Sequence, residues 1–240
     1  MSQETHAVLF DFGGTLFDYA DLARAQVDSL EALGRRLGLD ADAGALATAH
    51  RRAAARVFRE YLPKPYYLHE HLFGDTVRET GRELGRELSE DDVAFWFDEQ
   101  FRNRARDFRL REGVVETLEA LRARGLHLGI VSNIDDADLH HLVDLGGLRP
   151  HFDSLLSSEA AGSCKPDPRI FDVALERAGC APGEALFVGD TISQDVAGAN
   201  RRGMRSVLLW HRDDKSPPVG EDRPHHVVRR IPDLLDLLGR

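Results

Sequence analysis

Apolar residues along this chain gather in short unbroken runs rather than alternating with polar ones. Ala7–Phe10, Leu126–Val131, Leu155–Leu156, Ala185–Val188 and Val207–Trp210 are each short enough for a strand, and most give way to a polar or glycine-containing turn. A strand that is apolar throughout is covered on both faces, so these runs predict a buried parallel sheet. Between them the spacing becomes helical. In Gly113–Arg124, Val114, Val115, Leu118 and Leu121 share one face, and Gly125 follows as a C-terminal cap. A later helix takes Asp167 as N-cap and Pro168 as its first residue. It carries Ile170, Phe171, Ala174, Leu175 and Ala178 on one face and stops at Gly179. Strands alternating with helices imply an α/β fold built on a doubly wound parallel sheet.

Residues 18–110 break that rhythm. The pattern predicts four helices there and no strand, at Asp21–Leu37, Ala43–Leu62, His71–Leu88 and Asp91–Arg106. Breaks fall at Gly38, at 63–67 and at Ser89-Glu90. A helical insert after the first strand reads as a cap over a site at the sheet's edge, with 1–17 and 111–240 forming the core. Within the insert, Phe95, Trp96 and Phe97 read as its own core. Ser216–Pro224 reads as a polar loop ahead of a short closing helix at Pro232–Leu238.

Composition narrows the function. The 240 residues are 42% hydrophobic, enough for one generous domain with an insert. A formal net charge of −10 excludes general affinity for nucleic acid or anionic membranes, yet leaves room for a local phosphate pocket. Cys164 and Cys180 show no CxxC spacing and read as reduced thiols. The first residues lack the basic and apolar regions of a signal peptide, and no apolar run approaches the ~18 residues of a membrane span. The expectation is a soluble, cytoplasmic protein.

Chemistry-bearing residues stand at the ends of the predicted strands. Val8–Phe10 delivers Asp11 into the turn Phe12-Gly13-Gly14-Thr15, which makes Asp11 a candidate nucleophile or metal ligand. Gly129–Val131 leads to Ser132 and Asn133. Lys165 precedes the helix start at Asp167-Pro168, where charge and helix dipole together favour an anion. Leu186–Val188 leads to Gly189-Asp190, with Asp195 five residues on.

Taken together, Asp11–Leu16, Ser132-Asn133, Lys165-Pro166 and Gly189-Asp190 with Asp195 resemble the four motifs of the haloacid dehalogenase-like (HAD) superfamily, and residues 18–110 resemble its helical cap. The resemblance spans the chain. It implies a Rossmann-like core, attack by Asp11 on the phosphorus of a small phosphorylated metabolite, and Mg²⁺ as cofactor. It also implies Asp11, Asp190 and the backbone carbonyl of Gly13 as metal ligands, with Asp195 either an outer residue or a direct ligand. Ser132, Asn133, Lys165 and the backbone N–H groups of Phe12, Gly13 and Gly14 would hold the phosphate, and Thr15 would brace the loop.

One position departs from the pattern. Phosphatases of this superfamily usually carry a second aspartate two residues after the nucleophile, and here that residue is Gly13. Such a general acid/base is worth about 10²–10⁴ in rate. Four readings therefore remain. The first is a phosphatase whose proton comes from elsewhere, with His69, His71, Tyr66, Tyr67 and Asp18 as candidates. The others are a dehalogenase, a phosphonate hydrolase using Lys64, and a binding protein that has lost turnover. Asp190 favours phosphate over halide, because dehalogenases usually lack a carboxylate there. Arg51, Arg52, Arg56, Arg59, Arg102, Arg104 and Arg106 could meet anionic substrates or form a solvated helix surface. His225 and His226 read as surface residues. Oligomeric state is left open.

Overall fold

The computed structural model describes residues 4–211 and 222–239, so most of the polar loop expected over 216–224 lies outside the described residues. In chain order the elements begin with β1 (Ala7–Phe10), α1 (Tyr19–Arg36), α2 (Ala43–Tyr61), α3 (His69–Glu83) and α4 (Glu90–Asp107). There follow α5 (Val114–Ala123), β2 (His127–Ser132), α6 (Asp136–Leu145), β3 (Ser154–Ser157), α7 (Ser158–Ala161) and α8 (Pro168–Ala178). The chain continues through β4 (Ala185–Gly189), α9 (Ala197–Arg201), β5 (Arg205–Leu209), β6 (His226–Val228) and α10 (Leu234–Leu237). They form two compact units, one from the chain up to Asp18 together with Arg109 onward, the other Tyr19–Phe108.

The first unit is an α/β fold on a six-stranded, fully parallel sheet of order β3-β2-β1-β4-β5-β6. The central strands β1 and β4 are buried along their whole length: Phe171 of α8 packs on Phe187 of β4 at 5.2 Å, within a buried cluster that includes Leu9, Ile170 and Ala174. Successive strands spread outward on either side of β1, so the order reverses between β1 and β4. In open α/β sheets that reversal opens a crevice at the strands' carboxyl ends. Phe10 is in register with Ile130 on one side and Val188 on the other, which brings the residues after all three strands to one edge.

Several boundaries differ from the sequence pattern. Helix α6 has no counterpart in it, because its first turn carries Asp136 and Asp138 and only Leu139, Leu142 and Val143 are buried. Helix α3 starts at His69 and ends at Glu83 rather than Leu88, since Gly85 turns the chain at φ +73°. The closing segment is a 3₁₀ turn at Ile231–Asp233 followed by the single turn of α10.

The second unit consists of α1–α4, with α1 packed on α4 and α2 on α3. Leu30, Leu33, Leu46, Val77, Val93 and Trp96 form its core. Inside it runs a polar chain. Gln26 Nε2 lies 2.8 Å from His50 Nε2, His50 Nδ1 lies 3.0 Å from Thr80 Oγ1, and Thr80 donates to the Thr76 carbonyl at 2.7 Å. With Thr80's proton spent on that carbonyl, its oxygen accepts from Nδ1–H, which leaves Nε2 to accept from Gln26. His50 is thus held neutral, and burial lowers its pKa to about 4.

Candidate active site

Asp11 follows the last residue of β1, and its N–H donates to the Val188 carbonyl at 2.8 Å, an extension of the β1–β4 ladder. Asp11 is buried. Thr15 donates its hydroxyl to Asp11 Oδ2 at 2.9 Å, so the threonine braces the loop against the carboxylate. Lys165 donates to Asp11 Oδ1 at 2.6 Å and to Asp195 Oδ1 at 2.7 Å. Asp195 takes a second bond from the Thr191 N–H at 2.9 Å. Asp190, beside it, accepts from the Thr191 hydroxyl at 3.2 Å.

Close approach of these acids depends on glycine. A Cβ built on Gly189 would stand 2.4 Å from Asp195, and one on Gly14 would stand 2.3 Å from Asp190 Oδ2. Gly14 also adopts φ +87°, a conformation that side chains disfavour.

Two carboxylates thus share one ammonium, with Asp190 close beside them. Burial pulls Lys165 toward neutrality, but Asp11 and Asp195 outweigh it, and its pKa is held above the usual lysine value. Asp190 is pushed up to about 6, first by burial and then by Asp11. Asp195 is raised as well, since burial exceeds the attraction of Lys165. Three acids thus stand close to a single cation. Oxygens of Asp11, Asp190 and Asp195 lie within 4.8 Å of one another, a donor set suited to a hard divalent ion such as Mg²⁺. Both oxygens of Asp195, like both of Asp11, already accept hydrogen bonds within the protein.

Asn133 pairs with the backbone of Lys165. Its Oδ1 accepts from the Lys165 N–H at 2.7 Å, and its Nδ2 donates to the Lys165 carbonyl at 3.0 Å. It locks the lysine's backbone. At the start of α8, Asp167 accepts from the Arg169 N–H at 3.0 Å, while the Lys165 ammonium reaches Asp11.

Ser132 is buried at the end of β2, in register with Ser157. The Phe12 ring packs edge-on against Phe17 at 5.0 Å. Gly13 bridges to Phe17, and the Gly14 N–H donates to the Phe17 carbonyl at 2.9 Å, so that amide is already engaged within the turn.

The helical unit's arginines are largely paired with acids. Arg56 meets Glu79 and Glu83, Arg102 meets Glu99, and Arg106 meets Asp28 and Asp107. Tyr67 packs on the His69 ring at 5.1 Å, and His225 Nδ1 accepts from the Ser206 N–H at 3.1 Å. Sequence reasoning missed Arg111 and His211, which both approach the Gly14 carbonyl. No motif marks either residue.

The sequence profile of the haloacid dehalogenase-like hydrolases matches residues 5–203. Haloacid dehalogenase-like hydrolase domain-containing protein 3 from Bos taurus is 40% identical over 132 residues, 55% of this chain and 52% of that protein. The chain thus spans about half the length of these mammalian relatives. Glyceraldehyde 3-phosphate phosphatase from Methanopyrus kandleri is 30% identical over 235 residues, 97% of this chain and 96% of its own. Among solved structures, a HAD phosphatase from Thermococcus onnurineus superposes with a TM-score of 0.70 at 27% identity, covering 98% of both chains. Among the described residues, no helix is long and apolar enough to cross a membrane.

Proposed function

Because the chain belongs to the haloacid dehalogenase-like hydrolases, we propose that it hydrolyses a small phosphomonoester with Mg²⁺, through an aspartyl phosphate on Asp11. One observation carries this reading: Asp11, buried at the switch point of the sheet, shares its ammonium partner with Asp195 and lies beside Asp190. The full-length similarity to a glyceraldehyde 3-phosphate phosphatase supports the substrate class.

Asp11, Asp190 and the Gly13 carbonyl would hold Mg²⁺, which would supply positive charge to offset repulsion between carboxylate and phosphate. An Asp11 oxygen bonds to phosphorus as the bond to the leaving alcohol breaks. Water then attacks phosphorus, the aspartyl–phosphate bond breaks, and Asp11 is restored. Lys165 stays protonated, fixes the orientation of Asp11 and balances charge building on the phosphoryl oxygens together with Ser132 and the turn's remaining amides. Asn133 acts by holding Lys165. The helical unit inserted after Asp18 serves as the cap that selects substrate.

Gly13 has no side chain with which to protonate the leaving group, so that proton comes from water or from the substrate, and turnover is correspondingly slow. A protein that binds a phosphorylated ligand with little turnover is the second reading, favoured by this same residue.

The test is phosphate release from a panel of phosphorylated metabolites that includes glyceraldehyde 3-phosphate, with Mg²⁺ and with chelator. Chelator-sensitive release supports the proposal. Binding without release points to the second reading.

A further inference from the structure

The Gly14 carbonyl is gripped by a guanidinium. Arg111 donates to it through Nε at 3.2 Å and a terminal nitrogen at 2.9 Å, while its other terminal nitrogen lies 3.0 Å from Asp18 Oδ2. His211 Nε2 lies 3.3 Å from the same oxygen. The Arg111 side chain is 19% exposed, which keeps water from competing strongly for these bonds. On its other side, Gly14 presses so closely on Asp190 that no Cβ would fit. The backbone of Arg111 joins in: its N–H donates to the Leu16 carbonyl at 2.9 Å, and Phe17 bridges to Leu110. The segments leaving for and returning from the helical unit are thus tied together at the catalytic turn.

We propose that Arg111 is a positioning residue, whose fork holds the 13–17 turn so that Asp190 and the Gly13 carbonyl stand correctly against Asp11. The proposal rests on the phosphoryl-transfer reading above. Arginine suits the task because one rigid plane serves the carbonyl twice and a carboxylate once. A lysine ammonium is a single point on a flexible stem and cannot reproduce that geometry. Arg111 acts through Gly14, so its loss displaces the machinery rather than removing a reacting group. Misplacement of this kind, on the order of 1 Å, costs about 10²-fold in rate.

Arg111→Gln and Arg111→Lys in the full chain test this, with p-nitrophenyl phosphate as probe. Hydrogen exchange of residues 12–18 and the Tm are read in parallel. The expected result is a kcat lower by about 10- to 100-fold in both variants, with KM within about twofold. Exchange should quicken at 12–18 while Tm barely moves. Unchanged kcat with unchanged exchange overturns the proposal, and so does full recovery of kcat in Arg111→Lys, which would make charge rather than geometry the cause. If the parent protein releases no phosphate from any compound, the phosphatase reading fails separately. The exchange arm then decides alone: faster exchange at 12–18 upholds the positioning role, and unchanged exchange overturns it.

Discussion

The ammonium of Lys165 sits 2.6 Å from Asp11 Oδ1, and the two side chains are 1% and 9% exposed. The same nitrogen reaches Asp195 at 2.7 Å, so one buried cation serves two buried anions. Removing one partner of a buried ion pair leaves charge uncompensated, at a cost of about 3–5 kcal/mol. Lys165→Met should therefore lower stability by that order and abolish turnover, as read by urea unfolding and phosphate release. Unaltered stability would mean that the acids are neutral in the folded protein.

Gly14 is a second sensitive point, for steric reasons. Gly14→Ala places a methyl group where Asp190 Oδ2 stands and requires φ +87° of an alanine. Calorimetric titration with Mg²⁺ should show binding weakened at least tenfold, with activity lost in parallel. Wild-type Mg²⁺ affinity in this variant would show that Asp190 is not a ligand.

Restoring a carboxylate at residue 13 probes the opposite effect. Gly13→Asp should raise kcat, toward the 10²–10⁴-fold that a positioned general acid/base contributes. Mg²⁺ affinity should change little, because the ligand proposed at this position is a backbone carbonyl. If the same titration instead found Mg²⁺ binding lost with no change in kcat, the role assigned to residue 13 would be wrong.

The helical unit has its own pH dependence through His50. Its pKa is 6.5 in ordinary surroundings and about 4 in the fold, where it is buried and neutral. The unfolded chain therefore binds the extra proton more readily between those values. Stability from this group is complete above pH 6.5, declines as pH falls and is gone below about 4, a change on the order of 3 kcal/mol. Unfolding free energies measured between pH 4 and 7 should fall more steeply for the parent protein than for His50→Gln. Parallel curves would show that His50 takes up its proton without penalty.

How much of this was legible beforehand follows from how each feature is encoded. Ala7–Phe10 and Ala185–Val188 announce themselves because strands buried on both faces are apolar at every position. Asp11, Lys165, Asp190 and Asp195 are readable because a parallel sheet gathers its strand ends at one edge, so order along the chain foretells convergence in space. Asn133 is harder: an amide after a strand reads as a ligand group, and only the fold reveals that the Lys165 backbone occupies it. Arg111 and His211 are invisible to pattern, since their partner is a carbonyl that every residue possesses. Helix α6 escapes because acidic residues crowd its first turn and few apolar ones mark its face. The π-helical turn at Ile192–Val196, which carries Asp195, escapes because its spacing matches neither helix nor strand.

The central claim is that the Asp11 carboxylate attacks phosphorus, and Asp11→Asn tests it most directly. The variant keeps the shape of the side chain while removing the nucleophile. The measurement is Mg²⁺-dependent phosphate release by parent and variant on the best substrate of the panel, with circular dichroism confirming that both are folded. The account predicts release by the parent and none above background by the variant. A folded Asp11→Asn protein that retains full activity would contradict it.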